Sequence, residues 1–107
     1  MKDFYFNNEG DEKEFLKKNK WGIHSLIIDG VKKAYEEKLE SITVFRIINT
    51  VSNFVMTSEL KKDDWLDSLS QSMDYFESIE EYEKCKEIKD LIKNIKADDD
   101  KSTKSEG

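Results

Sequence analysis

The chain has 107 residues, enough for one domain, because most domains contain ~100–150 residues. Charged residues make up 39% of the chain and its net charge is −6, which argues against a general binder of nucleic acid or of anionic membranes. One cysteine excludes an internal disulfide, one cysteine and one histidine are too few for a structural zinc site, and no apolar run approaches the ~18 residues of a membrane span.

The chain begins with aromatic residues and then becomes strongly charged. Phe4-Tyr5-Phe6 precede a turn-like segment at 7–10. We expect residues 1–12 to form an extended arm or a short strand that lies on the rest of the protein, because three aromatic side chains would otherwise stay in water. Residues 11–20 contain one apolar pair, Phe15-Leu16, and are predicted to form a short helix.

Residues 23–39 show helical periodicity. Ile27, Val31 and Tyr35 recur at intervals of four, which places their side chains on one face of a helix. Gly30 lies inside this segment, where glycine costs ~1 kcal/mol relative to alanine. We therefore expect a neighbouring helix to pack closely against Gly30.

Residues 41–57 are the most apolar segment of the chain. Branched side chains recur there at intervals of four, three and four, which predicts a buried central helix of about four turns. The residues in this pattern are Val44, Ile48, Val51 and Val55. The β-branched content also suits a strand, but length favours the helix, because strands usually stop after ~5–6 residues. A strand at 42–48 that pairs with residues 3–6 is the alternative that the sequence leaves open.

Two antiparallel helices joined by a tight turn are predicted in the second half of the chain. The first covers residues 60–76 and follows Ser58, whose side chain can cap it. The second covers residues 80–96, after a break near residues 77–79.

The predicted fold is therefore all-α. A single domain at 1–97 forms a small antiparallel bundle of three to four helices with an extended N-terminal arm. Residues 98–107 have no apolar side chain to bury, so we expect them to form a disordered acidic tail.

The predicted hairpin resembles a known motif. Residues 73–95 are similar to the UVR motif, a helical hairpin of excision-repair proteins and of Clp-type ATPases and their adaptors. The matching positions are Glu80-Glu81-Tyr82-Glu83 at the turn, then Ile88, Lys89-Asp90, Ile92 and Ile95. Lys86 and Phe76-Glu77 depart from the motif, which has small residues there.

This resemblance implies a role in joining proteins to each other. UVR hairpins are not catalytic, and they pair their hydrophobic faces, often with another helical hairpin. The hairpin-pairing residues implied here are Tyr82, Cys85, Ile88, Ile92 and Ile95.

The sequence offers little catalytic chemistry. His24 and Cys85 are the one pair suited to nucleophilic catalysis, but Cys85 occupies a core position of its helix, where a free cysteine behaves as a small hydrophobic residue. His24 lies on an apolar face, and we expect it to be partly buried. Four scattered glycines cannot form a phosphate-binding loop, and Asp98-Asp99-Asp100 lacks the spacing of a calcium loop. We therefore predict no enzyme activity, no metal and no cofactor.

Acidic residues line one side of the predicted helix at 60–76 and continue past its end. Their spacing of four, seven, three and four keeps them on one helical stripe: Asp63, Asp67, Asp74, Glu77 and Glu81. The stripe is either a solvated face or a docking surface for a basic partner. Trp65 either packs at the edge of the core or serves as an aromatic anchor for that partner.

These observations favour a small acidic protein–protein interaction module, an adaptor or regulator of a larger protein. The alternative is an inhibitor or immunity-type protein whose acidic stripe covers a basic, nucleic-acid-binding site of its target. We expect a cytoplasmic protein whose protein partner has a basic surface, and we expect direct contact with neither nucleic acid nor a membrane. The sequence is also compatible with a homo-oligomer. Abundant lysine, isoleucine and acidic residues with a single arginine are typical of accessory proteins of phages or low-GC bacteria.

Overall fold

The protein is an α+β domain with four helices and three strands in the part of the chain that the structure describes. This computed structural model describes the backbone of residues 2–106 and the side chains of residues 2–99. The elements are β1 (Lys2–Phe6), α1 (Asp11–Lys18), α2 (Lys20–Glu36), β2 (Ser41–Asn49), β3 (Phe54–Lys61), a short 3₁₀ turn (Lys62–Asp64), α3 (Trp65–Ser78) and α4 (Tyr82–Glu106). The prediction of an all-α helical bundle is therefore wrong.

The error lies in residues 41–57, which form a strand, a turn and the start of a second strand. The helical spacing there is coincidental, since Val44 is buried whereas Val51 and Val55 are each 59% exposed. Within β2 the burial instead alternates, with Phe45 and Ile47 buried and Arg46 half-buried between them. The alternative of a strand that pairs with the N-terminal residues is confirmed.

The sheet has the order β1-β2-β3, with β2 in the centre. β1 runs parallel to β2, with Lys2 opposite Phe45 and Phe6 opposite Asn49, and β3 runs antiparallel to β2. Parallel neighbours need a crossover connection, which α1 and α2 provide. The aromatic arm is held by α1, because the rings of Phe4 and Phe6 lie 4.7 and 5.3 Å from that of Phe15.

Gly30 allows α2 to lie close to the sheet. A Cβ atom at this position would stand 3.2 Å from Val44 Cγ2, which is tighter than ordinary van der Waals contact. The strand register shifts between Thr43 and Phe45, and this irregularity leaves both Val44 and Phe45 buried. The predicted close approach at Gly30 is thus present, but the neighbour is a strand rather than a helix.

Helix α2 contributes to two buried clusters. Its Ile28, Val31 and Ala34 pack with the inner residues of α3 and α4, while Ile23 and Leu26 pack against β2. Helices α3 and α4 form the predicted hairpin, joined by residues 79–81. The backbone N–H of Glu81 donates to the Phe76 carbonyl at 2.9 Å, and Glu80 takes a left-handed φ of 61° in this turn.

The C-terminal tail is described only in part. Asp98 and Asp99 continue α4, and the Tyr35 hydroxyl donates a hydrogen bond of 2.5 Å to Asp98. The side chains of residues 100–107 lie outside the described part, so the predicted disorder of 98–107 stays a prediction. Each helix within residues 2–106 is too short or too polar to cross a lipid bilayer.

The outer face of the sheet is not covered by a described element and carries an ion pair. Arg46 Nε and Nη2 donate to the two carboxylate oxygens of Asp3 at 3.0 and 2.8 Å. This pairing with Arg46 holds the pKa of Asp3 below its ordinary value. Next to it, Tyr5, Ile48 and Val55 stand opposite one another across the three strands.

A buried asparagine ties the β1–α1 loop, the first turn of α1 and the β2–β3 turn to the end of β2. Asn49 is fully buried, and its amide nitrogen donates to the Asn8 carbonyl at 2.9 Å and to Glu12 Oε2 at 2.8 Å. Its side-chain oxygen accepts the backbone N–H groups of Val51 at 3.0 Å and Ser52 at 3.3 Å. The hydrogen bond from Asn49 lowers the pKa of Glu12. All of the polar atoms of this side chain therefore have partners.

Replacement of Asn49 tests the importance of this network. Asn49→Ala leaves several buried or turn-forming polar groups without a partner, and we expect the free energy of unfolding to fall by about 2 kcal/mol. Asn94→Ala on the exposed side of α4 is the matched control and should change it by less than ~0.5 kcal/mol. Urea unfolding measures both, and equal effects would contradict the structural role of Asn49.

Neighbouring residues of β2 provide a test of the strand itself. Ile47 is fully buried beneath the helices, so Ile47→Asp places a carboxylate in the core and should unfold the protein. Ile48 points to the outer face, so Ile48→Asp should leave the far-UV circular dichroism spectrum unchanged. A helix at 41–57 would instead make Ile48 the more damaging site.

Candidate protein-binding surface

The outer side of α3 carries carboxylates without basic neighbours. The buried side of this helix is formed by Trp65, Leu69, Ser72 and Phe76. Asp67, Asp74 and Glu77 project from the opposite side and are exposed, and Asp63 is exposed in the preceding 3₁₀ turn. We call these four residues the acidic row. Helix α3 has no lysine or arginine, and no ion pair within residues 2–99 involves the acidic row.

Helix α4 carries a complementary row of lysines beside α3. We define the lysine row as Lys86, Lys89, Lys93 and Lys96, which recur at intervals of three, four and three. All four are exposed and form no ion pair among the described side chains. Sequence reasoning missed this row, because Glu87 and Asp90 lie between its members in the chain. The same helical spacing that revealed the acidic row would have revealed it.

A shallow apolar groove runs between the two helices. Leu66, Met73 and Ile92 are half-buried at its floor, and Lys89, Lys93 and Lys96 border a depression of about 650 Å³ there. A second depression of about 510 Å³ continues the groove toward the turn, between Glu77, Tyr82 and Lys86. The hairpin therefore presents an apolar floor bordered by lysines of α4, with Glu77 and Asp90 near the turn. The other members of the acidic row are exposed on α3 or in the turn before it and do not line the floor. We call this surface the hairpin groove.

Two of the predicted partner-binding residues do not belong to this exposed surface. Trp65 is 2% exposed, and its indole Nε1 donates to the Leu60 carbonyl at 3.4 Å. The ring closes the core where β3 leads into α3. Trp65 is therefore a core residue and not an exposed anchor for a partner. Glu81 lies half-buried in the turn after α3, apart from the acidic row.

The hairpin-pairing residues implied by the UVR resemblance are mostly turned inward. Cys85, Ile88 and Ile95 are buried with α2 and α3, and Ile92 is half-buried beside them. Tyr82 is the exception, with 65% of its surface exposed. The hydrophobic face that would meet another hairpin is therefore used within this chain, and the hairpin groove is the side left accessible.

The chemically reactive side chains do not form an accessible catalytic arrangement. His24 Nδ1 lies 2.8 Å from Ser72 Oγ, a nucleophile–base distance, but Ser72 is fully buried and out of reach of a substrate. The His24 ring stacks on Tyr75 at 4.6 Å, and Cys85 is buried. Within residues 2–99, no three histidine, cysteine or acidic side chains are grouped to hold a metal ion.

Comparisons of this chain with protein-family models, with curated proteins and with solved structures gave no match. They do not bear on the likeness of residues 73–95 to the UVR motif, which stays a hypothesis. The interpretation of the hairpin groove therefore rests on its own geometry and charge.

His24 should make stability depend on pH. Burial, and secondarily the charge of Lys20, lowers the pKa of His24 below its ordinary value of about 6.5. The unfolded chain then binds the proton more readily, so the free energy of unfolding should fall as the pH decreases from about 7 through 6.5. Urea unfolding at a series of pH values measures this slope, and His24→Gln, which cannot titrate, should flatten it. An equal slope in both proteins would contradict the burial of His24.

Proposed function

We propose that this chain is a small acidic protein–protein interaction module, an adaptor or regulator that binds a larger partner through the hairpin groove. One observation carries the proposal: an apolar floor bordered by Lys89, Lys93 and Lys96 of α4 lies beside α3, whose exposed side carries the acidic row.

The charges of the groove suit recognition better than stability. Carboxylates stacked along α3 repel one another by a few tenths of a kcal/mol per pair, and no lysine of α3 relieves this repulsion. A partner with basic residues would relieve it, and complementary charge accelerates encounter and fixes orientation. The acidic row is therefore the side of the groove that we assign to a basic partner surface.

The apolar floor supplies the contact area. Leu66, Met73 and Ile92 form the floor of the groove beside the lysine row, and a methionine adapts its shape to different partners. Amphipathic helices commonly bind in such grooves through apolar residues at helical spacing. We therefore expect the partner to contribute a helix with basic residues on the flank that faces α3.

The alternative, an inhibitor that covers a nucleic-acid-binding site, is less consistent with the surface. Such a site is basic throughout, because it contacts phosphates. The lysine row of α4 borders the same groove, so it would face a wholly basic target with like charge. A partner with both basic and acidic residues fits the groove better.

Charge reversal on α3 tests the proposal. Asp67→Lys with Asp74→Lys should abolish capture of the partner from a lysate of the source organism, because like charges then meet at the interface. Asp29→Lys with Glu36→Lys is the control, since it makes the same charge change at exposed positions of α2. Quantitative mass spectrometry compares the proteins captured by the two variants and by the unaltered chain.

The proposal requires proteins that the control retains and the α3 variant loses. Their capture should also weaken as salt rises from low to physiological concentration, because salt screens exposed charges. Identical capture by both variants would show that the acidic row is only a solvated face.

A further inference from the structure

We infer that the hairpin groove binds a second copy of this chain, with α3 of each copy lying over α4 of the other. This inference rests on the proposed binding surface and names an occupant for it. Its basis is that the surface is complementary to itself: each copy carries an acidic row and a lysine row on neighbouring helices. Symmetric dimers require such self-complementary patches.

Charge selects one of two symmetric arrangements of facing hairpins. A two-fold axis across the helices would place α3 over α3 and oppose the two acidic rows. An axis that runs along the groove places α3 over α4 of the second copy, antiparallel to it. The second arrangement brings each acidic row against a lysine row, so it is favoured.

The arrangement also sets which charges meet. Within one hairpin, α3 and α4 run in opposite directions from the turn at 79–81, so the Leu66 end of α3 lies beside the Lys96 end of α4, and Glu77 shares a depression with Lys86 near the turn. An axis along the groove preserves these levels in the second copy. Asp67 therefore faces Lys96 of the second copy, Asp74 faces its Lys89, and Glu77 faces its Lys86.

The apolar floors of the two grooves meet at the centre of this four-helix contact. Leu66, Met73 and Ile92 of one copy pack against their equivalents, surrounded by the charged rows. The contact is two helices wide, ~20 Å, and about as long as α3, ~21 Å. The area of such a contact is at the low end of the range for specific interfaces. We therefore expect a dimer that dissociates on dilution and exchanges its second copy for another partner.

Complementary charge reversal tests this dimer. One variant carries Asp67→Lys and Asp74→Lys, which places lysines opposite Lys96 and Lys89 of its second copy. The other carries Lys89→Glu and Lys96→Glu, which places carboxylates opposite Asp74 and Asp67. Each alone should dimerise at least about tenfold more weakly than the unaltered chain, because like charges oppose each other. An equimolar mixture should restore dimers, since the introduced lysines of one variant then face the introduced glutamates of the other, and the unaltered acidic row faces the unaltered lysine row.

Sedimentation velocity over a concentration series measures the dimer, and far-UV circular dichroism confirms that each variant is folded. Asp29→Lys with Glu36→Lys is the control and should dimerise like the unaltered chain. If a double variant does not fold, Glu77→Lys and Lys86→Glu in separate chains provide the same comparison. The inference is supported if dimers are weakened in each separate variant and recover in the mixture.

Three results would overturn it: an unaltered chain that stays monomeric, variants that dimerise as well as the unaltered chain, or a mixture that does not recover. These results are distinguishable from failure of the proposed function. A monomeric chain that still captures a protein dependent on Asp67 and Asp74 would remove the self-association and leave the proposed function standing.

Discussion

Strand β2 determines how the other elements are arranged, because it pairs with a neighbouring strand along each of its edges. It is hydrogen-bonded to β1 on one side and to β3 on the other, so its backbone groups are satisfied at both edges. Its Val44, Phe45 and Ile47 form one buried cluster with the residues that α2 places on the sheet. Asn49 at its end holds the neighbouring loops. The pairing directions then dictate the path: a helical crossover precedes β2, and a hairpin follows it.

The same constraint determines which surface remains accessible. Helix α2 is used on both sides, because it packs against the sheet and against the α3–α4 hairpin. The apolar sides of α3 and α4 therefore find their partners within the chain, including most of the residues that resemble a UVR pairing face. The exposed remainder of the hairpin is the groove with its two charged rows. Its charges are solvated in the free chain and are available for recognition rather than required for folding.

The helices could be predicted from the sequence to a much greater extent than the sheet. The spacing of apolar residues in α2, α3 and α4 is a local property, and it identified each helix and the turn of the hairpin. Strand pairing depends on residues distant in the chain, which the local spacing does not reveal. In the β2–β3 hairpin, branched residues on both sides of the turn also happen to be spaced as they would be in a helix. Val51 and Val55 fit this helical spacing although both are exposed.

The acidic row could be predicted for the same local reason as the helices. The groove could not be predicted, because its existence depends on which side of α4 lies beside α3. The burial of Trp65 likewise depends on Leu60, in the strand that leads into α3.

We propose that the hairpin groove is the binding surface of this protein. Backbone amide chemical shifts, recorded by NMR over a dilution series, test it most directly because they report on every part of the surface at once. We expect concentration-dependent shifts at Leu66, Met73 and Ile92 and along the two charged rows, with the amides of β3 unchanged. Shifts confined to β3 or to the outer face of the sheet, around Val55, would contradict it.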